Sequence, residues 1–297
     1  MLTSLPFERA SKKTGMPPVR RAPRSLKQEY QEFILQRLEE YKNTVPRAEL
    51  LQIGDEAVRE LQTSVQDQYL LTEVLLLEHV DRIIARRLRL PSFPRWRQKH
   101  RALREAQREP THWGFDRAHP IVPWAARLEP GDVVVVLGAA ALSEALFLAA
   151  HDGEVFLLDQ DLGAVEAAEG RAVTEQLGGG AFQALVINFG SWFPDLAPSL
   201  VVIAPPSLAV LRAKQRSSLI ADLQVRTPSG GVHVVLPSAA ESREVIPLAP
   251  EALQTLYRGW QVQRATGGGR RSKRSGFTAI KPPRQHDTAQ PVLNVSE

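Results

Sequence analysis

Gly138 and Asp159 have the residue types and the spacing to hold a nucleotide cofactor. Gly138 closes the apolar run 133–137, and Asp159 closes a second run, 154–158, about twenty residues further on. Residues 142–151 between them have the length and composition of a helix. A strand, a tight turn, a helix and a second strand ending on an acid make the first βαβ unit of a cofactor-binding sheet. Ligands of such sheets sit at the carboxyl ends of the strands. The turn is nevertheless short of glycine, because Gly138 is followed by Ala139, Ala140, Ala141 and Leu142.

Other chemistries find less support. Cysteine is absent, which excludes disulfides, thiolate zinc sites and cysteine nucleophiles. The seven histidines are scattered without metal-ligand spacing, so no metal is expected. His233 lies within an apolar run and reads as a core histidine. His112 and His119 precede the first strand and could face a substrate mouth as general bases. No nucleophile or acid–base pair stands out. A dinucleotide fingerprint, G-x-G-x-x-G, is missing, since Ala140 and Ser143 occupy its second and third glycine positions.

The elements that would position Gly138 and Asp159 are legible. Residues 1–24 carry four prolines with Lys12, Lys13, Arg20, Arg21, Arg24 and read as a basic, unstructured arm. Ser25 and Gln28 form a capping box ahead of an amphipathic helix with Tyr30, Phe33, Ile34, Leu35 and Leu38. Pro46 interrupts that helix and opens the next in its first turn. A longer helix over 66–88 has an apolar stripe wide enough to be covered on more than one side. PSFP at 91–94 stops it, and a short basic helix runs from Trp96 to about Gln107. Residues 25–110 thus make an all-helical N-terminal region.

From 111 to 283 the pattern alternates. Strands are expected at 133–137, 154–158, 182–187, 200–203 and 232–236, each a branched-aliphatic run typical of parallel strands covered on both faces. Helices fit at 142–151, 162–177, 207–223 and 250–257. Strands at 260–266 and 275–281 flank a basic Gly-rich stretch and read as a hairpin. The expected fold is α/β, a doubly wound, mostly parallel seven-stranded sheet preceded by the helical region and followed by a tail, 284–297.

The net charge is small, +4, but its distribution is uneven. Basic clusters occupy the arm, the stretch 86–108 and the run GGGRRSKR at 267–274. Each suits an anionic partner or a solvated face. No segment reads as a membrane span or signal peptide, so a cytoplasmic location is expected, with peripheral attachment to a membrane face open through the basic arm.

Residues 112–283 resemble the class I S-adenosylmethionine-dependent methyltransferases. HWG at 112–114, the lead-in PWAARLEPGDVVVVLG and the closing GFTAIKPP carry the likeness, with the strand order between them. The resemblance implies S-adenosylmethionine as cofactor, and Gly138, Ala140, Leu142, Asp159 and Asn188 as the positions that contact it. Asp159 would hold the ribose hydroxyls, and Asn188 the adenine. Against the family's pattern, Val136 replaces an acid, Ala140 and Leu142 replace glycines, and Ala204 replaces the Asp or Asn before the proline pair Pro205-Pro206. Loss of one charge-assisted hydrogen bond costs about 1.5–3 kcal/mol, and Leu142 would fill space the ligand needs if it faced the crevice.

Three functions follow from these residues. The first is a methyltransferase-fold protein with an eroded cofactor site, acting as a structural or interaction subunit of a larger, membrane-associated or soluble complex. A protein partner would then meet the helical region and basic arm, with Phe93, Trp96 and Trp113 as anchors. The second is an active methyltransferase with a divergent loop, acting on a small-molecule or protein substrate. The third, ranked last, is an RNA-binding or RNA-modifying protein using its basic stretches on phosphates.

Overall fold

Ser25 caps the first helix by the box its spacing predicts. Its Oγ accepts from Gln28 N at 3.3 Å, and Gln28 Oε1 accepts from Ser25 N at 2.9 Å. The computed structural model describes residues 25–64, 73–178, 180–189, 192–237, 250–266 and 275–283. The basic arm, the run 267–274 and the tail lie outside the described residues.

Helix α1 (Leu26–Thr44) is followed by α2 (Arg47–Ser64). Pro46 stands one residue ahead of α2, where its carbonyl accepts from Glu49 N and Leu50 N. It therefore caps the helix and lies just outside the first turn expected for it. With α3 (Glu73–Arg87) these helices bury a small core of Leu38, Ile53, Ala57, Ile83 and Ile84. Val74 and Leu77 of α3 remain 65% and 54% exposed. The second covered side expected for this helix is thus not found among the described residues. Arg86 and Arg87, at the start of the basic stretch 86–108, pair with Glu60 and Glu56 of α2.

Helix α4 (Phe93–Gln107) begins earlier than Trp96 because Pro94 fits its first turn. It runs against the far end of the α/β sheet and bonds helix termini there. In the α/β region, α6 (Leu142–Ala150) and α7 (Leu162–Thr174) both end beside α4. Arg108 Nε donates to Ala150 O at 3.1 Å, Gln107 Nε2 to Glu175 O at 2.8 Å, and an Arg104 guanidinium nitrogen to Gln176 O at 2.8 Å. Helix C-termini present unpaired carbonyls and partial negative charge, so these donors satisfy both. Trp113 Nε1 returns a bond to Gln107 O at 2.7 Å. Trp96 and Trp113 are 4% and 9% exposed, so neither is a surface anchor: Trp96 packs against Tyr30, Phe33 and His100 within the helical region, and Trp113 joins the core under the sheet.

The sheet contains β1 (Val133–Leu137), β2 (Glu154–Asp159), β3 (Phe182–Val186), β4 (Leu200–Ile203), β5 (Val232–Val235), β6 (Gln261–Thr266) and β7 (Ser275–Ile280). Their order is β3-β2-β1-β4-β5-β7-β6, parallel except for β7, which pairs antiparallel with β5 and β6. This is the doubly wound, seven-stranded arrangement expected. Val134 and Val136 pack under α5 (Val122–Ala125), α6 and α7 on one face. Val135 and Leu137 pack on the other face with α9 (Ala213–Arg226) and with residues around α8 (Pro205–Ala209) and α10 (Pro250–Gln254). Burial on both faces explains the uninterrupted valines of β1. The helix expected over 207–223 is two helices, α8 and α9, separated at residues 210–212.

Candidate functional site

The strand order reverses between β1 and β4, and the turns that leave these two strands face each other there. Such a switch point is where open α/β sheets hold ligands. Gly138 ends β1 with φ at +96°, a conformation that glycine alone adopts without strain. Its N–H donates to Leu158 O at 2.8 Å, and a 3-10 turn over Ala139–Ala141 leads into α6. On the opposite side, Ala204 N donates to Leu137 O at 3.1 Å, and Pro205 and Pro206 open α8.

Ser207 of α8 sits against Gly138. A methyl group added to Gly138 would collide with Ser207 Oγ and Cβ and would lie 3.4 Å from Ala204 Cβ. The bare backbone of the glycine is thus covered by the chain's own side chain. Asp159 is also engaged. Oδ2 accepts from Ala139 N at 2.6 Å and Oδ1 from Asp161 N at 2.9 Å, which ties the end of β2 to the turn after β1. Capping of α7 falls to Asp161, whose Oδ1 accepts from Gly163 N and Ala164 N.

The remaining expected positions are dispersed. Ala140 is exposed at the tip of the turn. Leu142 is half-buried and packs against the apolar cluster beneath α6. Val136, where the family pattern has an acid, is fully buried in the same cluster. Asn188 is exposed two residues beyond β3. Gly138, Asp159 and the Ala139 backbone are therefore brought together, whereas Leu142 turns toward the helix–sheet core.

His112 and His119 go to opposite ends of the sheet. His112 Nε2 lies 3.5 Å from Glu175 Oε2, just past the C-terminus of α7 at the amino ends of the strands. It does not face the crevice mouth expected for it. His119 stacks on Phe115 at 4.4 Å and places Nε2 3.5 Å from Glu144 Oε1, in the first turn of α6. The pair therefore stands at the carboxyl edge, beside the Gly138 turn. Glu144 is a solitary carboxylate in the apolar helix LSEALFLAA, and no local spacing links it to His119.

Burial drives both members toward their neutral forms. It pushes Glu144 up to about 7 and holds His119 below the usual imidazole range, although Asp116 opposes the second effect. The separation is longer than a hydrogen bond, and His119 Nδ1 is buried without a partner. Burial thus disfavours the charged form of each member of the pair. Because Glu144 binds its proton more tightly folded than unfolded, it contributes stability at low pH that is lost between about 4.5 and 7. The stability of the wild type minus that of Glu144→Gln should fall by about 1–3 kcal/mol across that window. Urea melts of both proteins at several pH values measure this difference directly.

Among the described residues no cluster of three or more metal-ligating side chains occurs. No described helix is long and apolar enough to cross a membrane. His233, read as a core histidine, is fully buried in β5 between Thr227 and Tyr257.

No family model matches the chain, and no curated protein matches it. Solved structures do. The glycopeptide N-methyltransferase MtfA complexed with S-adenosyl-L-methionine is 18% identical, covering 57% of this chain and 96% of that chain with a TM-score of 0.43. The N-methyltransferase NodS from Bradyrhizobium japonicum WM9 is 15% identical, over 57% and 95% of the two chains, with a TM-score of 0.45. Magnesium protoporphyrin IX methyltransferase (ChlM) from Synechocystis PCC 6803 with bound cofactor is 14% identical, over 54% and 76%, with a TM-score of 0.44. These likenesses are distant. The chain's own strand order and closing antiparallel strand define a methyltransferase-like α/β fold.

Proposed function

We propose that this chain is a methyltransferase-fold protein whose cofactor crevice is closed and which works by binding a protein partner. The observation that carries this reading is Ser207 seated on Gly138, where a cofactor would need bare backbone. Both carboxylate oxygens of Asp159 accept backbone N–H groups, which gives the residue a structural use in tying β2 to the turn after β1. Val136 supplies no anionic anchor. Large apolar side chains also stand exposed along this edge, with Leu162 at 58%, Val186 at 47% and Val210 at 67%. Exposed apolar groups gathered at one edge suit a protein contact better than a solvated one. A larger assembly, soluble or on a membrane face, is the setting this reading implies.

Isothermal titration with S-adenosylmethionine tests it. No binding heat is expected up to millimolar ligand, and a micromolar Kd would overturn the closed crevice.

A second reading, an active methyltransferase, is favoured by the His119–Glu144 pair at the same edge. It requires conversion of S-adenosylmethionine to S-adenosylhomocysteine with an acceptor present, and a drop in that turnover in Glu144→Gln. RNA binding, the third reading, requires an affinity that falls steeply with added salt.

A further inference from the structure

A cavity of about 670 Å³ lies between α1, α4 and the amino ends of β1, β2 and β3. It is at the opposite end of the sheet from Gly138 and Ser207, so it has no part in the crevice discussed above. Its volume is in the range of small-molecule sites, and junctions between folding units are common places for them.

One wall is a stripe of α4. Trp96, Arg97, His100 and Arg101 occupy positions i, i+1, i+4 and i+5 and all line the cavity. Trp96 and His100 are 4% and 6% exposed and stack on each other at 4.5 Å. Each leaves a ring nitrogen, Trp96 Nε1 and His100 Nδ1, buried without a hydrogen-bond partner. The Trp96 indole N–H is thus left without an acceptor, which native proteins rarely tolerate. His100 Nε2 is 3.1 Å from Glu29 Oε2, and a proton on Nε2 is what lets the two groups bond.

The charges already engaged can be set aside. Glu29 faces His100, Asp152 pairs with Arg108 at 2.6 Å, and Arg104 is bonded to Gln176 O. Among the described residues Arg101 has no carboxylate partner, and Arg97 lies over the Phe93 ring at 5.7 Å with none either. The α4 wall thus offers two guanidinium groups, and the lining elsewhere also carries the carboxylates of Glu32 and Glu154. Leu26 and Phe33 of α1 supply an apolar side, and the space above Gly131 is open.

We propose that this cavity binds a small organic anion, a phosphate or carboxylate joined to an apolar or aromatic body. Arg97 and Arg101 hold the anionic group, the stacked Trp96 and His100 rings form the wall beside it, and Leu26 and Phe33 of α1 cover the apolar body. The site is independent of methyl transfer and of whether the Gly138 crevice is open.

Indole resonances of ¹⁵N-labelled full-length protein test this. The chain has five tryptophans, and Trp96→Phe identifies the Trp96 signal by its loss while the remaining indole signals keep their positions. Phenyl phosphate and benzoate are titrated as probes, with benzyl alcohol as the uncharged comparison. Saturable movement of the Trp96 signal with either anion supports the site, and the tighter probe names the anion class. Arg101→Gln should weaken that binding about ten- to a hundredfold, the effect of losing one charged hydrogen bond. Movement equal with benzyl alcohol, an unmoved Trp96 signal at millimolar anion, or unchanged affinity in Arg101→Gln would each overturn the proposal.

Discussion

Gly138→Ala should lose about 3–5 kcal/mol of stability, the sum of left-handed backbone strain and overpacking. The first part arises because φ at this residue is +96°. The second arises because the new methyl meets Ser207 Oγ and Cβ. Ser207→Gly removes the collision and leaves the strain, so the double variant should recover roughly half of the loss, about 1–3 kcal/mol. Urea unfolding of the two single variants and the double variant gives the coupling. Additive losses would mean that Ser207 does not sit on Gly138, and the closed crevice would go with it.

His233→Ala should cost about 3–5 kcal/mol, because it opens a cavity and strands two hydroxyls. The hydrogen-bond directions follow from one another. Thr227 Oγ1 donates to Leu223 O at 2.8 Å, so it accepts from His233 Nε2, also at 2.8 Å. Nδ1 is then the acceptor for the Tyr257 hydroxyl at 2.9 Å. The ring is thus a neutral Nε2–H tautomer. Burial, with Lys281 nearby, holds its pKa at about 3, and burial pushes Tyr257 upward. A histidine kept neutral in the fold contributes stability above its unfolded pKa near 6.5 that is lost as pH falls toward 3. His233→Phe restores volume but not the bonds and should remain well below wild type in thermal melts.

His233 and Glu144 act in opposite senses over pH 4.5–6.5. Stability from His233 rises with pH there and stability from Glu144 falls. A nearly flat wild-type profile would conceal both, and each single variant uncovers the other.

Local pattern made most of the sheet readable. Parallel strands buried on both faces tend to be continuous apolar runs, as β1, β4 and the interior of β2 are. The Ser25–Gln28 box is a three-residue relation and needs no tertiary information. What stayed hidden is non-local. Ser207 meets Gly138 only because β1 and β4 are neighbours, and no spacing rule links the two residues. Leu142 could be read toward either side of the turn, since a shift of one position reverses a side chain's direction. The break between α8 and α9 carries neither glycine nor proline, so 207–223 reads as one helix. His119 was visible as a base candidate, but its partner Glu144 required the fold.

Arg104, Gln107 and Arg108 join the helical extension to the α/β body through the last carbonyls of α6 and α7. Those two helices therefore lack self-sufficient ends. Cutting the chain near residue 110 would leave three acceptors in search of water just where Trp113 and Ala149 expect cover. The extension behaves as structural masonry for the sheet, closing a wall that the α/β body leaves open.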